Sequence, residues 1–295
     1  MKKYINPLLI VLFVILEILL LSKSKLVISS FKKTLNICLY NLMPTMFFSI
    51  LFSQILIKLD FYKYIPKFII HMFKKLFNIN DNDVIIFFLS IISGYPNNSK
   101  MLINNKNLNN IIHYTNFVNP IFLIATVGGI YLKNIKISIL ILVSHYISNI
   151  VMGILLKNKN TKNNYKQNKK NNTNFINIYT STLKDTIFTL AIIFSNILFF
   201  SIILTLFKGI FHLNEPINSI ICGLIEFSSG IYNISNLNIN IFLKGLFILI
   251  IITFGSFSIH MQILSINDKI KYIKYLFYRI LNVFISVIIY IILYY

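Results

Sequence analysis

Ser93 to Lys100 read SGYPNNSK and follow a short apolar run, Val84 to Ile92, that cannot by itself cross a bilayer. Gly94 and Pro96 are helix breakers. Asn97, Asn98 and Ser99 bring neutral donors and acceptors, and Lys100 brings a cation. Irregular backbone at membrane depth is tolerated where it is buried in protein or lines a wet cavity. Free N–H groups at the start of a half-helix favour an anion. The chemistry on offer is reversible binding of a small anion, and a plain solvated turn is the competing reading. Asn116 and Asn119, in NFVNP just ahead of the next apolar run, could face the same break; Pro120 is equally a first-turn residue.

Glu226, in LIEFSSG, is the second candidate. Acids in apolar segments are costly and functional by default. It would bind H⁺ or Na⁺, or else serve as a structural carboxylate for the amides of Ser228, Ser229 and Gly230. His145 (with Ser144, Ser148 and Asn149 nearby) and His260 (with Ser258 and Gln262) form two polar clusters in long apolar runs. Each histidine is either an interhelical hydrogen-bonding group or part of a shared polar centre. Glu17 has no polar company and reads as structural or interhelical. His71, His113 and His212 read as interfacial. Cys38 and Cys222 form no CxxC or Cys/His pattern and read as packing residues. No GxSxG, HExxH, P-loop or dinucleotide fingerprint occurs. The expectation is no enzyme, no catalytic residues, no metal site and no resident cofactor; a coupling ion, H⁺ or Na⁺, stays open.

The elements that must position these residues are helices in lipid. Of the 295 residues 56% are hydrophobic, more than a soluble domain of this length can hide. Apolar runs fall at about 7–22, 35–57, 84–94, 117–132, 135–156, 186–207, 217–227, 241–264 and 276–295. The runs at 84–94 and 217–227 are too short to cross and are broken by Gly or Pro, as in re-entrant hairpins. The fold class expected is an all-α polytopic membrane protein with about seven transmembrane helices and two re-entrant helical hairpins in two inverted repeats. Residues 1–30 form a retained N-terminal membrane helix, 31–156 a first repeat, 157–178 a basic flexible linker and 179–295 a second repeat. Residues 58–80 alternate lysines with aromatics, as an interfacial amphipathic segment does. The repeat is suggested by a shared order: Thr34-Leu35 and Thr182-Leu183, Ser93-Gly94 and Ser229-Gly230, then Gly128-Gly129 and Gly255.

The formal charge of +20 comes from lysines scattered between spans, with Arg279 as the single arginine. That scatter argues against a nucleic-acid face. With the N-terminus inside, most of the 28 basic residues, Arg279 counted among them, fall in cytoplasmic segments, as the positive-inside rule requires.

Six stretches in one order, 41–57, SGYPNNSKM (93–101), 116–132, SHYISNIVMGILL (144–156), GLIEFSSGI (223–231) and FGSFSIHMQILS (254–265), resemble the YlbJ-like sporulation integral membrane proteins, a family related to nucleoside-recognition (gate) domains. The resemblance spans roughly 35–290. It implies inverted repeats with re-entrant hairpins and a transporter that moves dipicolinic acid, a small dianion, across the outer forespore membrane from the mother cell. Asn97 and Asn98 stand where such proteins usually carry small residues, and Ser256 where a second Gly is common. The substrate site expected is Gly94, Pro96, Asn97, Asn98, Ser99, Lys100, Asn119, Glu226, Ser228 and Ser229, supported by His145, Asn149, His260 and Gln262. The partners expected are the lipid bilayer, the small anion, and a second copy or other sporulation membrane proteins, with no nucleic acid. A non-transporting assembly or scaffold protein of spore-envelope (cortex) formation is the alternative.

Overall fold

A computed structural model describes residues 2–103, 105, 108–157, 174–207 and 214–295. The basic segment 158–173, most of the expected linker, lies outside the described residues, as do Lys208 and His212. The described chain is helical: α1 (Lys2–Ser22), α2 (Ser24–Asn36), a π-helical segment Ile37–Leu42, α3 (Met43–Lys58), α4 (Lys67–Phe77), α5 (Asp81–Ser93), α6 (Asn97–Met101), α7 (Leu108–Ile111), a second π-helical segment Phe122–Tyr131, α8 (Ile135–Leu155), α9 (Phe175–Phe207), α10 (Glu215–Ile225), α11 (Phe227–Ser235), α12 (Ile241–Phe254), α13 (Phe257–Ile266) and α14 (Tyr272–Tyr294).

Among the described residues, five helical stretches are long and apolar enough to cross a membrane: Ser24–Lys58, Ile135–Leu155, Phe175–Leu206, Ile241–Ile266 and Tyr272–Tyr294. They make the chain an integral membrane protein in kind. Large apolar side chains such as Phe48, Phe52, Phe188, Phe284 and Ile292 face outward from these stretches, as lipid contact demands. One expected span falls short. The stretch 117–132 is extended up to Asn119 and helical only beyond it. The last residues assigned to the linker are also helical, because α9 begins at Phe175.

Local sequence explains where the elements stop. Asn80, Asn134 and Asn240 each accept a hydrogen bond from the backbone three residues on, at Asp83, Ile137 and Leu243, and so cap α5, α8 and α12. Gly94 ends α5 at φ +71°, in the left-handed region, and its Cα packs on the Asn119 backbone with no room for a side chain. Gly255 ends α12 in the left-handed conformation. Ser256, at φ +27°, follows it in a conformation glycine would hold more easily. This is the position where the sequence resemblance expects a second glycine.

The long elements form two layers. The α2–α3 rod lies on α9, and α8 packs on α12 and α14. A lysine at either end of the α2–α3 rod finds a partner on α9. Lys23 donates to Leu206 O at 3.0 Å, where the last carbonyls of α9 are unpaired by the helix itself. Lys58 reaches Asp185 at 3.3 Å. The short elements α5, α6, α10, α11 and α13 sit between these layers, and their tips are buried.

Candidate functional site

The first break is braced by an extended strand of chain. Tyr95 N donates to Phe117 O at 2.7 Å, and the Asn119 side chain donates to Ser93 O at 3.3 Å. Asn119 also accepts from the backbone of Ile121 and Phe122, at 2.9 and 3.1 Å, and so starts the helix beyond Pro120. Tyr146 of α8 ties both sides together by donating to Ile91 O and Val118 O. The return arm expected for this hairpin is the five-residue α6. The segment 115–119, whose last residues were expected to open the next span, is extended and runs beside the break: Gly94 packs against Asn119 and Tyr95 pairs with Phe117.

Asn97 is fully buried, with its amide donating to Ser53 Oγ at 3.1 Å and its carbonyl accepting from Gln54 at 3.2 Å, both on α3. Asn98 donates to Asn116 Oδ1 at 3.4 Å, and its own Oδ1 is buried without a partner. Ser99 donates to Ile263 O on α13, and Asn267 donates back to Ser99 O. Pro96 precedes α6 after a cis peptide bond. Lys100 points away from this group. Its ammonium donates to Asp185 O and Thr189 Oγ1 on α9 at 3.2 and 3.3 Å.

The second break, at Gly255-Ser256, leaves the last carbonyls of α12 without helical donors. The single arginine supplies them. Arg279 of α14 is fully buried, donates to Thr253 O and to Phe254 O, and reaches Asn149 Oδ1 on α8. No carboxylate pairs with it among the described residues. Asn149 is the hub of this centre. It accepts from Asn282 at 3.0 Å, and its amide contacts His145 Nε2 at 3.2 Å. His145 Nε2 also accepts from Val118 N at 3.2 Å, which makes Nδ1 the protonated nitrogen in neutral imidazole and the donor to Thr253 Oγ1 at 3.1 Å. Asn116 donates to Tyr275 Oη at 2.9 Å, and Tyr275 and Tyr95 lie within electrostatic reach of the guanidinium. His260 Nε2 faces Phe254 O at 3.0 Å, and its Nδ1 faces Tyr272 Oη. Tyr95 Oη and Asn282 Oδ1, like Asn98 Oδ1, are buried without hydrogen-bond partners among the described residues. Native proteins leave few such groups unpaired.

The third component is the α10–α11 hairpin. Glu226 separates the arms and caps α11: Oε1 accepts from Ser228 N and Oε2 from Ser229 N, at 2.9 and 2.7 Å, and the Ser228 hydroxyl sits within 2.9 and 3.0 Å of the two oxygens. Gly223 and Gly230 face each other across the arms, where a Cβ on Gly230 would collide with the Gly223 backbone. Ser256 Oγ donates to Gly223 O and docks the hairpin on the second break. Its tip meets the first break through Tyr95 and Phe227, edge to face at 6.0 Å. Behind the hairpin lies a cavity of about 60 Å³, lined in part by Ser30, Lys33, Ser201, Ser229 and Tyr232. Lys33 stands over the Tyr232 ring at 5.1 Å, and Ser229 Oγ lies 3.4 Å from Ser201 Oγ.

The structure thus gathers Gly94, Pro96, Asn98, Asn119, His145, Asn149 and His260 around one closed centre. It places Asn97 on the α3 side, Lys100 on α9, and Glu226, Ser228 and Ser229 in a local cap. Gln262 is buried on α13. Arg279, expected in a cytoplasmic segment, is instead the fully buried cation of the centre, and Asn116, Tyr275 and Asn282 join it. One signal was present in the sequence: a lone arginine three residues before Asn282 within an apolar run. His113, expected at the interface, is buried against the Tyr278 ring at 4.6 Å. Glu17, expected to be structural or interhelical, is exposed beside Leu9, Ile10, Phe13 and Val14. Cys38 and Cys222 are buried packing residues, as expected.

Comparison with protein-family models, curated proteins and solved structures yields no significant match.

Proposed function

We propose that this chain is a secondary transporter for a small organic anion, with dipicolinate as the cargo and the outer forespore membrane as the location that the sequence resemblance suggests. The observation that carries the reading is Arg279, a buried cation at the junction of two chain breaks with no carboxylate paired to it among the described residues. An uncompensated buried charge is costly, and a visiting carboxylate would remove that cost while accepting charge-assisted hydrogen bonds. Tyr95 Oη, at the first break and buried without a hydrogen-bond partner among the described residues, is a second donor. Breaks of this kind flank the substrate sites of many secondary transporters, which commonly carry inverted repeats; the weak internal similarity of this sequence is consistent with that plan.

In this reading the α10–α11 hairpin is the gate. It separates the Lys33 cavity from the Arg279 centre, and the gate is closed: Asn98, Glu226, Ser228 and Arg279 are all fully buried. Opening breaks the Ser256–Gly223 bond and parts Tyr95 from Phe227, while the capped hairpin moves as a unit. That same closure favours the second reading, an assembly protein of the spore envelope with no transport cycle.

Uptake of radiolabelled dipicolinate into proteoliposomes separates the two. Saturable uptake above protein-free liposomes, lowered at least about tenfold by Arg279→Lys, is expected of the transporter, because a point charge replaces a planar fork. Uptake equal to that of protein-free liposomes refutes the transport of dipicolinate and leaves the assembly reading.

A further inference from the structure

The carbonyl ends of interrupted membrane helices are where coupling cations bind in transporters that use them. Here Thr253 O and Phe254 O, at the negative end of α12, together with Asn149 Oδ1, make such an oxygen cluster. A guanidinium already occupies it. We infer that Arg279 is a tethered counter-cation standing in the place of a coupling sodium ion, so that anion binding at this centre is independent of Na⁺. The inference rests on the transporter reading for its meaning, but the occupancy of the oxygen cluster stands on geometry alone.

Three features favour a permanent tenant over an incidental contact. Arg279 reaches the cluster from a different helix, so its charge bridges α14 to the broken end of α12. Asn149 presents its Oδ1 to both Arg279 and Asn282, which fixes the amide with its oxygen toward the cation. His145 Nε2 receives the Val118 N–H, which leaves Nδ1 to donate to Thr253 Oγ1 and hold that residue at the end of α12. A second cation placed among these oxygens would stand against the guanidinium with no carboxylate nearby to offset the repulsion.

The test is thermal unfolding of the purified protein in detergent, followed by circular dichroism, with NaCl exchanged for choline chloride at equal ionic strength. The wild-type midpoint should differ by less than about 1 °C between the two salts, because a cation that does not bind the folded state cannot stabilise it. Arg279→Ala should melt lower in choline and recover several degrees, roughly 3–6 °C, with Na⁺ or with about 10 mM methylguanidinium, because ligands selective for the folded state raise its midpoint. A wild-type midpoint that rises by several degrees in Na⁺ overturns the inference whether or not the variant folds. So does a folded Arg279→Ala that responds to neither cation. Neither readout requires flux, so a protein that fails to carry dipicolinate but shows the flat wild-type sodium response and the rescued variant sinks the transport reading and leaves the tethered cation in place.

Discussion

Replacing Glu226 by Gln distinguishes a structural cap from an ion carrier. The carboxylate accepts from two backbone N–H groups, at 2.9 and 2.7 Å, with the Ser228 hydroxyl shared between its oxygens. A carboxamide has one acceptor oxygen. It can keep Ser228 N or Ser229 N, and the other N–H then faces an NH₂ group. Leaving one buried donor unpaired costs about 1–3 kcal/mol. Losing the negative charge at the start of α11 costs about 0.3–1 kcal/mol more, and relief of carboxylate desolvation offsets part of the sum. The net expectation is roughly 1–3 kcal/mol, felt locally in the hairpin. Cys222 reports it, since its thiol is buried on the α10 arm. In a Cys38→Ser background it becomes the single thiol, and maleimide labelling then follows hairpin opening. At tenfold per 1.4 kcal/mol, Glu226→Gln should label about 5- to 150-fold faster than the parent. Unchanged labelling together with abolished transport would refute the cap and make the carboxylate a proton or ion ligand.

Other expectations follow from the same contacts. Gly230→Ala sets a methyl against the Gly223 backbone and should lower stability by about 1–3 kcal/mol or more, measured by thermal unfolding in detergent. Ser256→Gly relieves a positive φ but removes the donor to Gly223 O; the Cys222 labelling rate should rise while the global unfolding midpoint changes by little. Asn149→Leu strips the hub from His145, Arg279 and Asn282 and should cost about 3–5 kcal/mol in the same unfolding assay, the scale for leaving a buried charge and its neighbours short of partners. Lys74→Ala, whose 2.7 Å pair with Asp81 is solvent-exposed on both sides, should shift stability by less than about 1 kcal/mol.

Much of this architecture was legible in the sequence because lipid leaves few choices. The apolar runs at 135–156, 241–264 and 276–295 became helices close to those bounds. The breaks at Gly94 and Glu226 were visible as breakers and polar residues inside greasy segments. Ser256 was visible as a departure at a position where its backbone favours glycine. Pairing was not visible. Asn97 and Asn98 are neighbours in sequence, yet one turns to α3 and the other to Asn116, a difference set by tertiary packing alone. Lys100 seemed to belong to the site by adjacency, but its long side chain reaches Thr189 on another helix. Arg279 was hidden by arithmetic: counted among loop cations it supported an orientation, although its place inside an apolar run set it apart. The extended start of the apolar run at 117–132 was not legible either, because tertiary partners fix it: Tyr95 pairs with Phe117 and Gly94 packs on Asn119.

The rod Ser24–Lys58 and its neighbour Phe175–Leu206 hold 35 and 32 residues. At 1.5 Å per residue each is about 50 Å long, well beyond a hydrocarbon core of about 30 Å and close to the 40–45 Å of a bilayer with its headgroups. A tilt that buried the whole length would need roughly 50°, outside the usual range of about 0–40°. The pair must therefore run through the headgroup layers, carrying Lys23 and Lys58 to their depth on opposite sides. The Arg279 centre is built on the other layer, α8, α12 and α14, whose spans are shorter. Changing acyl-chain length should then tilt the struts more than these spans and shear one layer against the other, so membrane thickness becomes a mechanical input to the closed hairpin between them.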